Sequence, residues 1–539
     1  VPDTSPDFRV ADLMAQMLHA AGVRQAFGMP GGEVIVFLDA LERAGIDFVL
    51  ARNETAAAMM AAGSCTGCHI PGLLVTTLGP GLANAVNGIA DAWQERAPLL
   101  VVSGVVERSL RARYTHQVVD HAAMLAPLVK ASFEIDGESA AATLARAIRL
   151  ALTPPFGPVH IDLAPAVAAL RTDTRLQQRA ALTHVAVRAD DPALMAVRDR
   201  LEAAQRPLIL AGYEAAREAA DELRTAAARL GIPVLTTYKA KGVIDERRAE
   251  SLGAAGLSPL ADTVLLDLVR RADCLLLAGY DAIEMRTGWL NPFANPDNVI
   301  ELGAPVDHGM HEPGLWIAGP LGALLAGVFS DAVPHPIWRD GEPAAARAKL
   351  DALFAAPTSW GPHAVFDILR EACPDESVVT VDSGAHRILL SQMWKARRPL
   401  ELLQSAGWCT MGSALPLAIG AKCASPERPV FAVMGDGGFE MTMGECGTLR
   451  DQNLAVTLIV LQDEGLELIA LKQDQSQMPR RGVALGATDY AAVAAAFGGV
   501  GFNVETPEQL RAALSVAATR KSFTLIACRV APRSYDGRI

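Results

Sequence analysis

Short apolar runs alternate along this chain with longer, Ala-rich stretches of helical period, and that alternation predicts parallel α/β layers. Three segments of similar size repeat the pattern. In the first, 8–175, strands are expected at 25–28, 48–51, 73–77, 99–103 and 159–163. In the second, 190–330, they are expected at 208–211, 234–237, 274–278 and 299–302. In the third, 345–532, they are expected at 378–381, 430–434, 456–461 and 524–529. The polar stretch 171–188 has no core periodicity, and 333–343 is Pro-rich, so both read as linkers. The expected fold class is α/β, with three doubly wound parallel-sheet domains.

The bulk properties narrow the function. A chain of 539 residues is long enough for several domains. Its net charge of −12 argues against non-specific nucleic-acid binding and against attraction to an anionic membrane. No apolar run approaches the ~20 residues that span a bilayer. The first residues, Val1-Pro2-Asp3-Thr4-Ser5-Pro6-Asp7, offer no basic or apolar leader, so no secretory signal is expected. Eight scattered cysteines do not form a disulfide framework, and a reduced, cytoplasmic protein is expected. Cys65-Thr66-Gly67-Cys68-His69 spells a haem-attachment pattern, but covalent haem requires export, and two semi-buried thiols are expected there instead.

The most informative chemistry lies at 429–465. An apolar strand ends in Gly435-Asp436-Gly437-Gly438-Phe439, a glycine turn that opens a helix. Such a turn aims backbone N–H groups at one spot, which suits a diphosphate. A second apolar run then ends at Gln462-Asp463-Glu464-Gly465. Adjacent parallel strands end side by side, so Asp436 and Asp463 are placed to hold one Mg²⁺ that also bridges the diphosphate. Alone, this pattern also fits an ordinary strand–turn–helix with solvated acids.

The layout resembles the diphosphate signature of thiamine diphosphate (ThDP) enzymes, with Asp463 where that family usually has Asn. A second element, Arg52-Asn53-Glu54, reads as a strand end, an N-cap and a helix start. A ThDP enzyme needs a carboxyl group against N1′ of the aminopyrimidine, and Glu54 stands at that place. Phe27-Gly28-Met29-Pro30-Gly31-Gly32, Thr77-Leu78-Gly79-Pro80-Gly81-Leu82-Ala83-Asn84, His116-Gln117-Val118-Val119-Asp120 and Gly157-Pro158-Val159-His160-Ile161-Asp162 all resemble the pyrimidine-binding domain of acetolactate synthases. Asp382-Ser383-Gly384-Ala385-His386 and 407–416 resemble that family's diphosphate domain.

The resemblance implies a site. Glu54, Gln117 and Gly32 are its catalytic residues. Pro80, Asn84, Gly384, Ala385, His386, Cys409, Met411, Gly435, Asp436, Gly437, Gly438, Asp463, Gly465 and Leu466 join Glu54 around the cofactor. Met411 wedges between its two rings, and the Cys409 carbonyl takes its 4′-amino group. Gly465 completes the metal set with Asp436 and Asp463. The site is shared between two subunits of a homodimer or homotetramer, Glu54 coming from one chain and Asp436/Asp463 from the other.

Three departures from the synthases stand out. The middle segment reads Gly279-Tyr280-Asp281-Ala282-Ile283-Glu284-Met285-Arg286-Thr287-Gly288, and the two arginines of the FAD-binding synthases are absent at their places. FAD is therefore not expected. Glu33 follows Pro30-Gly31-Gly32, where the synthases carry Ala; it either faces the reacting carbon or is a surface helix-start acid. Lys472 replaces the Trp that shapes the acceptor site of anabolic synthases, beside Leu468 and Glu467. Arg480 and Arg481, in a loop, are further candidates for a substrate carboxylate. The expected reaction is decarboxylation of a 2-oxo acid such as pyruvate, with carboligation to a second carbonyl. The rivals are simple decarboxylation, C–C lyase chemistry, and a non-catalytic ThDP-fold paralogue. Dedicated decarboxylases of the superfamily often carry a His-His pair, and this chain has no such dipeptide.

Overall fold

The computed structural model describes residues 8–174, 187–306 and 309–539. Most of the stretch read as the first linker, 171–188, falls outside them. Three six-stranded sheets form, and every strand pairing is parallel. The first sheet holds β1 (Gln25–Gly28), β2 (Asp47–Leu50), β3 (Gly72–Thr76), β4 (Leu99–Gly104), β5 (Ser132–Glu134) and β6 (Val159–Leu163), in the order β2-β1-β3-β4-β6-β5. The second holds β7 (Pro207–Ala211), β8 (Val234–Thr236), β9 (Ser251–Ala254), β10 (Cys274–Ala278), β11 (Val299–Gly303) and β12 (Leu315–Ala318), in the order β12-β11-β10-β7-β8-β9. The third holds β13 (Val378–Val381), β14 (Leu402–Gln404), β15 (Val430–Gly435), β16 (Val456–Gln462), β17 (Val500–Val504) and β18 (Thr524–Arg529), in the order β14-β13-β15-β16-β18-β17. The outer two sheets share one topology. The middle sheet has the strand order of dinucleotide-binding folds.

Five strands lie outside the sequence expectation: β5, β9, β12, β14 and β17. Each stands at a sheet edge. Interior strands such as β3, β7 and β16 are buried along their whole length and read as unbroken apolar runs. An edge strand is short or half-exposed and carries a mixed sequence; β12 alternates half-buried and exposed positions.

The N- and C-terminal domains pack through two Ala-rich helices, Glu54–Ser64 and Ala414–Ala424. Their backbones approach so closely that a Cβ on Gly420 would strike the Met60 carbonyl. The stretch 333–343 is tethered rather than free. Trp338 is buried, and its indole N–H donates to the Pro207 carbonyl at 2.7 Å.

Candidate active site

β15 ends at Gly435, the N-cap of the helix Asp436–Thr442. Gly435 pairs with Leu461 of β16, so Asp436 and Asp463 leave neighbouring strand ends on the same side of the sheet. The Asp436 carboxylate accepts from Gly437 N at 2.8 Å and from Glu464 N at 2.7 Å, which ties the two turns together. Asp436 is buried and Asp463 half-buried. Burial, then the charges of Asp436 and Glu467, push Asp463 up to about 8. Burial also raises Asp436. Two acids held this way have a divalent cation as their natural counter-ion.

Around them lies a cavity of about 290 Å³ that gathers Gly384, Ala385, His386, Cys409, Met411, Gly435 to Gly438, Asp463, Gly465, Leu466, Leu468 and Lys472. Gly438 permits the closest approach: a Cβ there would collide with the Asp382 carboxylate. Asp382 is fully buried and accepts from Gly412 N at 3.0 Å and Ser413 N at 2.9 Å, pinning the loop that carries Met411. Three polar atoms in the wall are buried without a partner, Ser383 Oγ, His386 Nε2 and Arg387 Nε. Burial and then Arg387 pull His386 down to about 3, so it stays neutral and able to donate one hydrogen bond. The unpaired buried donors beside the glycine turn, Ser383 Oγ and Arg387 Nε, fit a diphosphate, whose oxygens would satisfy them. Cys409 sits in the left-handed region at φ 58°, a conformation that costs about 1–2 kcal/mol for a residue with a side chain. The loop is braced from the middle domain: Lys239 Nζ lies 3.0 Å from Glu95 Oε2, and Glu95 Oε1 accepts from Gly407 N at 2.6 Å.

The N-terminal candidates form a separate group. Asn53 caps its helix by accepting from Thr55 N at 2.8 Å. Glu54 is 6% exposed and accepts from Asn84 Nδ2 at 2.5 Å. Glu33 is half-buried and accepts from Thr77 Oγ1 at 2.7 Å, so it belongs to the turn that precedes Pro80 and is not a free surface acid. Gly32 is exposed, with open space where a Cβ would project. Gln117 has φ 58°, and its carbonyl lies against Gly79. None of these residues lines the Asp436/Asp463 cavity. The candidates therefore fall into two separate groups within the chain.

Next to Gln117 lies a second cluster, His121, His160 and Asp162, the one group of three or more His, Cys, Asp or Glu side chains at metal-ligating spacing among the described residues. Its hydrogen bonds argue for support rather than metal. Gly79 N donates to His121 Nε2 at 3.2 Å, so Nδ1 carries the ring proton and gives it to Asp162 at 2.7 Å. Burial would raise Asp162, but His121 and His160 hold it down at about 2.

Sequence reading gave no role to five residues of the cavity wall: Arg286, Ser383, Arg387, Ile469 and Tyr535. Arg286 comes from the middle domain, adjacent to a place where the synthases' second arginine is missing. Arg480 is committed to Asp474, 2.7 Å away, and neither Arg480 nor Arg481 lines the cavity.

Comparison with known proteins supplies a family. Residues 8–124, 194–312 and 382–528 match the N-terminal TPP binding domain, the central domain and the C-terminal TPP binding domain of thiamine pyrophosphate enzymes. Similar proteins include an acetolactate synthase of Bacillus subtilis (strain 168), 31% identical over 93% of this chain and 90% of that protein. A catabolic acetolactate synthase of Raoultella terrigena is 28% identical over 94% and 92%. The acetolactate synthase isozyme 2 large subunit of Escherichia coli (strain K12) is 27% identical over 94% and 92%.

Proposed function

The chain belongs to the thiamine pyrophosphate enzymes of the acetolactate synthase type, and from that premise we propose that it decarboxylates a pyruvate-like 2-oxo acid and ligates the product to a second carbonyl. ThDP supplies the carbanion chemistry when bound. The chain's own residues bind, orient and shield it. The observation that carries this reading is the glycine turn with its unpartnered Ser383 Oγ and Arg387 Nε beside the buried Asp436 and the half-buried Asp463. We divide the chain into a pyrimidine domain (8–175), a middle domain (190–330) and a diphosphate domain (345–532). Asp436, Asp463 and the Gly465 carbonyl would hold Mg²⁺. Glu54, Asn84 and Gln117 would complete the site from a second subunit, since they lie outside the cavity of their own chain. A homodimer is then the minimum, and a homotetramer is compatible. Free cysteines throughout the described residues support a reducing, cytoplasmic setting.

The middle domain has the strand order of a nucleotide-binding sheet, yet its residues do not fit a flavin dinucleotide. At the crevice beyond β7 and β10, the buried Tyr213 lies under the Lys239 ammonium, 4.1 Å from the ring centre. Glu214 accepts from Ala304 N at 2.9 Å and is pushed up to about 7 by burial. Asp281 and Met285 stand where the FAD-binding synthases carry arginines, which supports this reading. Flavin absorbance near one per subunit in the purified protein would overturn this.

Arg286 and Lys472 share the cavity wall, and among the described residues neither has a carboxylate within ion-pair distance. They suit the carboxylate of a 2-oxo acid. Arg286→Ala or Lys472→Ala is expected to raise KM for pyruvate about 10- to 100-fold, the worth of a hydrogen bond to a charged group. Unchanged steady-state parameters in both variants would remove them from substrate binding.

The metal proposal has a pH signature. Below pH 8 Asp463 keeps its proton and must release it to a cation. Apparent Mg²⁺ affinity is therefore expected to rise by up to about tenfold per pH unit between pH 6 and 8, then level off. The same shift destabilises the metal-free fold as pH climbs from about 4 to 8, because the unfolded carboxyl is already ionised there. Asp463→Asn should flatten the Mg²⁺ profile. A flat wild-type titration would sink the assignment.

Incubation with ThDP, Mg²⁺ and pyruvate, followed by proton NMR, tests the reaction. Acetolactate or acetoin is expected. Acetaldehyde alone would favour a decarboxylase. The one histidine that lines the cavity among the described residues, His386, is held neutral and so offers no imidazolium to protonate a departing product.

A further inference from the structure

A cleft of about 970 Å³ opens where the three domains meet. Its walls carry Arg24 from the N-terminal domain, Arg217 and Arg224 from the middle domain, and Arg398 and Arg428 from the C-terminal domain. Glu376 is the one acidic residue among the described residues that line it. On a chain of net charge −12 this is a local inversion of sign.

The arginines are not neutralised. Arg24 donates to the His19 and Val23 carbonyls at 2.8 Å. Arg224 donates to the Gly242 and Val243 carbonyls at 2.7 Å, and Arg428 to the Glu376 carbonyl at 2.7 Å. Backbone acceptors fix a guanidinium without cancelling its charge. Arg217 donates to the Cys68 carbonyl at 2.8 Å, and its Nε is buried without a partner. Among the described residues none of the five has a carboxylate within ion-pair distance.

Such a cluster calls for a multiply charged anion, because one carboxylate would leave most of the charge unmatched. Planar guanidinium forks match phosphate oxygens. The volume lies in the small-molecule range of about 300–1,000 Å³. No aromatic side chain lines the cleft among the described residues, so nothing there would stack a nucleobase. We propose that this cleft binds a small anion bearing two or more phosphate charges, recognised through those charges.

The site sits at a mechanical junction. The helices Glu54–Ser64 and Ala414–Ala424 both end at the cleft, through Ser64 and Ala424. Their other ends start at Glu54 and just beyond Met411. Each has 11 residues, a span of about 16 Å. An anion in the cleft therefore braces the pair of helices that carries the candidate catalytic groups.

The test uses enzyme saturated with ThDP and Mg²⁺ and then desalted, so that its own diphosphate site is filled and free metal is gone. Calorimetric titration with inorganic pyrophosphate at low ionic strength is expected to show one saturable site per chain, with a rise in Tm. The double variant Arg24→Ala/Arg398→Ala should weaken binding at least tenfold. Ala424→Glu, which adds a carboxylate at an exposed position and deletes no hydrogen bond, should do the same and keeps the test open if the arginine variant fails to fold. ATP binding as tightly as pyrophosphate would identify the phosphates as the whole determinant, and tighter binding would extend the ligand to a nucleotide. The proposal is overturned by no saturable binding to wild type, by equal affinity for citrate, or by binding that both variants leave unchanged.

Discussion

The Glu54→Gln variant is expected to lose about 10²- to 10⁴-fold in kcat/KM for pyruvate, the contribution of one positioned acid–base group, while still binding ThDP. Glu54 is the buried acid of the N-terminal group, held by Asn84 at 2.5 Å. Gln preserves the shape and still hydrogen-bonds, but it cannot exchange a proton with the aminopyrimidine. The loss should therefore fall on turnover and on H/D exchange at C2 of bound ThDP, not on ThDP retention measured by dialysis. A variant within threefold of wild type would remove Glu54 from the chemistry. Loss of ThDP with no separate loss of exchange would make it a binding residue only. Exchange already missing from the wild-type protein would revive the non-catalytic paralogue.

Asp436→Ala is expected to strip the protein of Mg²⁺ and ThDP together. Partners one step removed from a metal typically account for 10- to 100-fold in affinity, so loss of a ligand should exceed about 100-fold. The carboxylate also ties Gly437 to Glu464, so the variant frees the second turn as well. Mixed with Glu54→Gln after dissociation and reassembly, the Asp436→Ala chain tests the shared site. In a mixed dimer one site carries both lesions and the other carries neither. Random pairing in a symmetric dimer should then restore about a quarter of wild-type activity. No recovery after verified subunit exchange would place both groups in one chain's site.

Much of the candidate site was legible because its residues are local in sequence. Gly435 to Gly438 follow a strand and open a helix, and Asp463 ends the next strand, so parallel pairing alone sets the two acids side by side. Glu54 was legible through its N-cap, Asn53. Arg286 was not, because a comparison position by position looks for an arginine at Met285 and passes over its neighbour. Ser383 Oγ and His386 Nε2 became informative only when the fold buried them without partners. Glu33 was ambiguous in sequence because its partner, Thr77, is 44 residues away.

The chain by itself determined the three α/β layers, the interior strands and the order of the glycine, acid and helix-start elements, since these depend on hydrophobic period and local turn chemistry. Only the tertiary structure decided what depends on distant neighbours. It set five of the six edge strands, whose mixed sequences become strands by pairing with a buried neighbour. It kept Glu54 out of the cavity that holds Asp436 and Asp463 in its own chain. It also assembled five arginines from three domains around one cleft. Charge and burial at such places are sums over residues far apart in the chain, and no local pattern carries those sums.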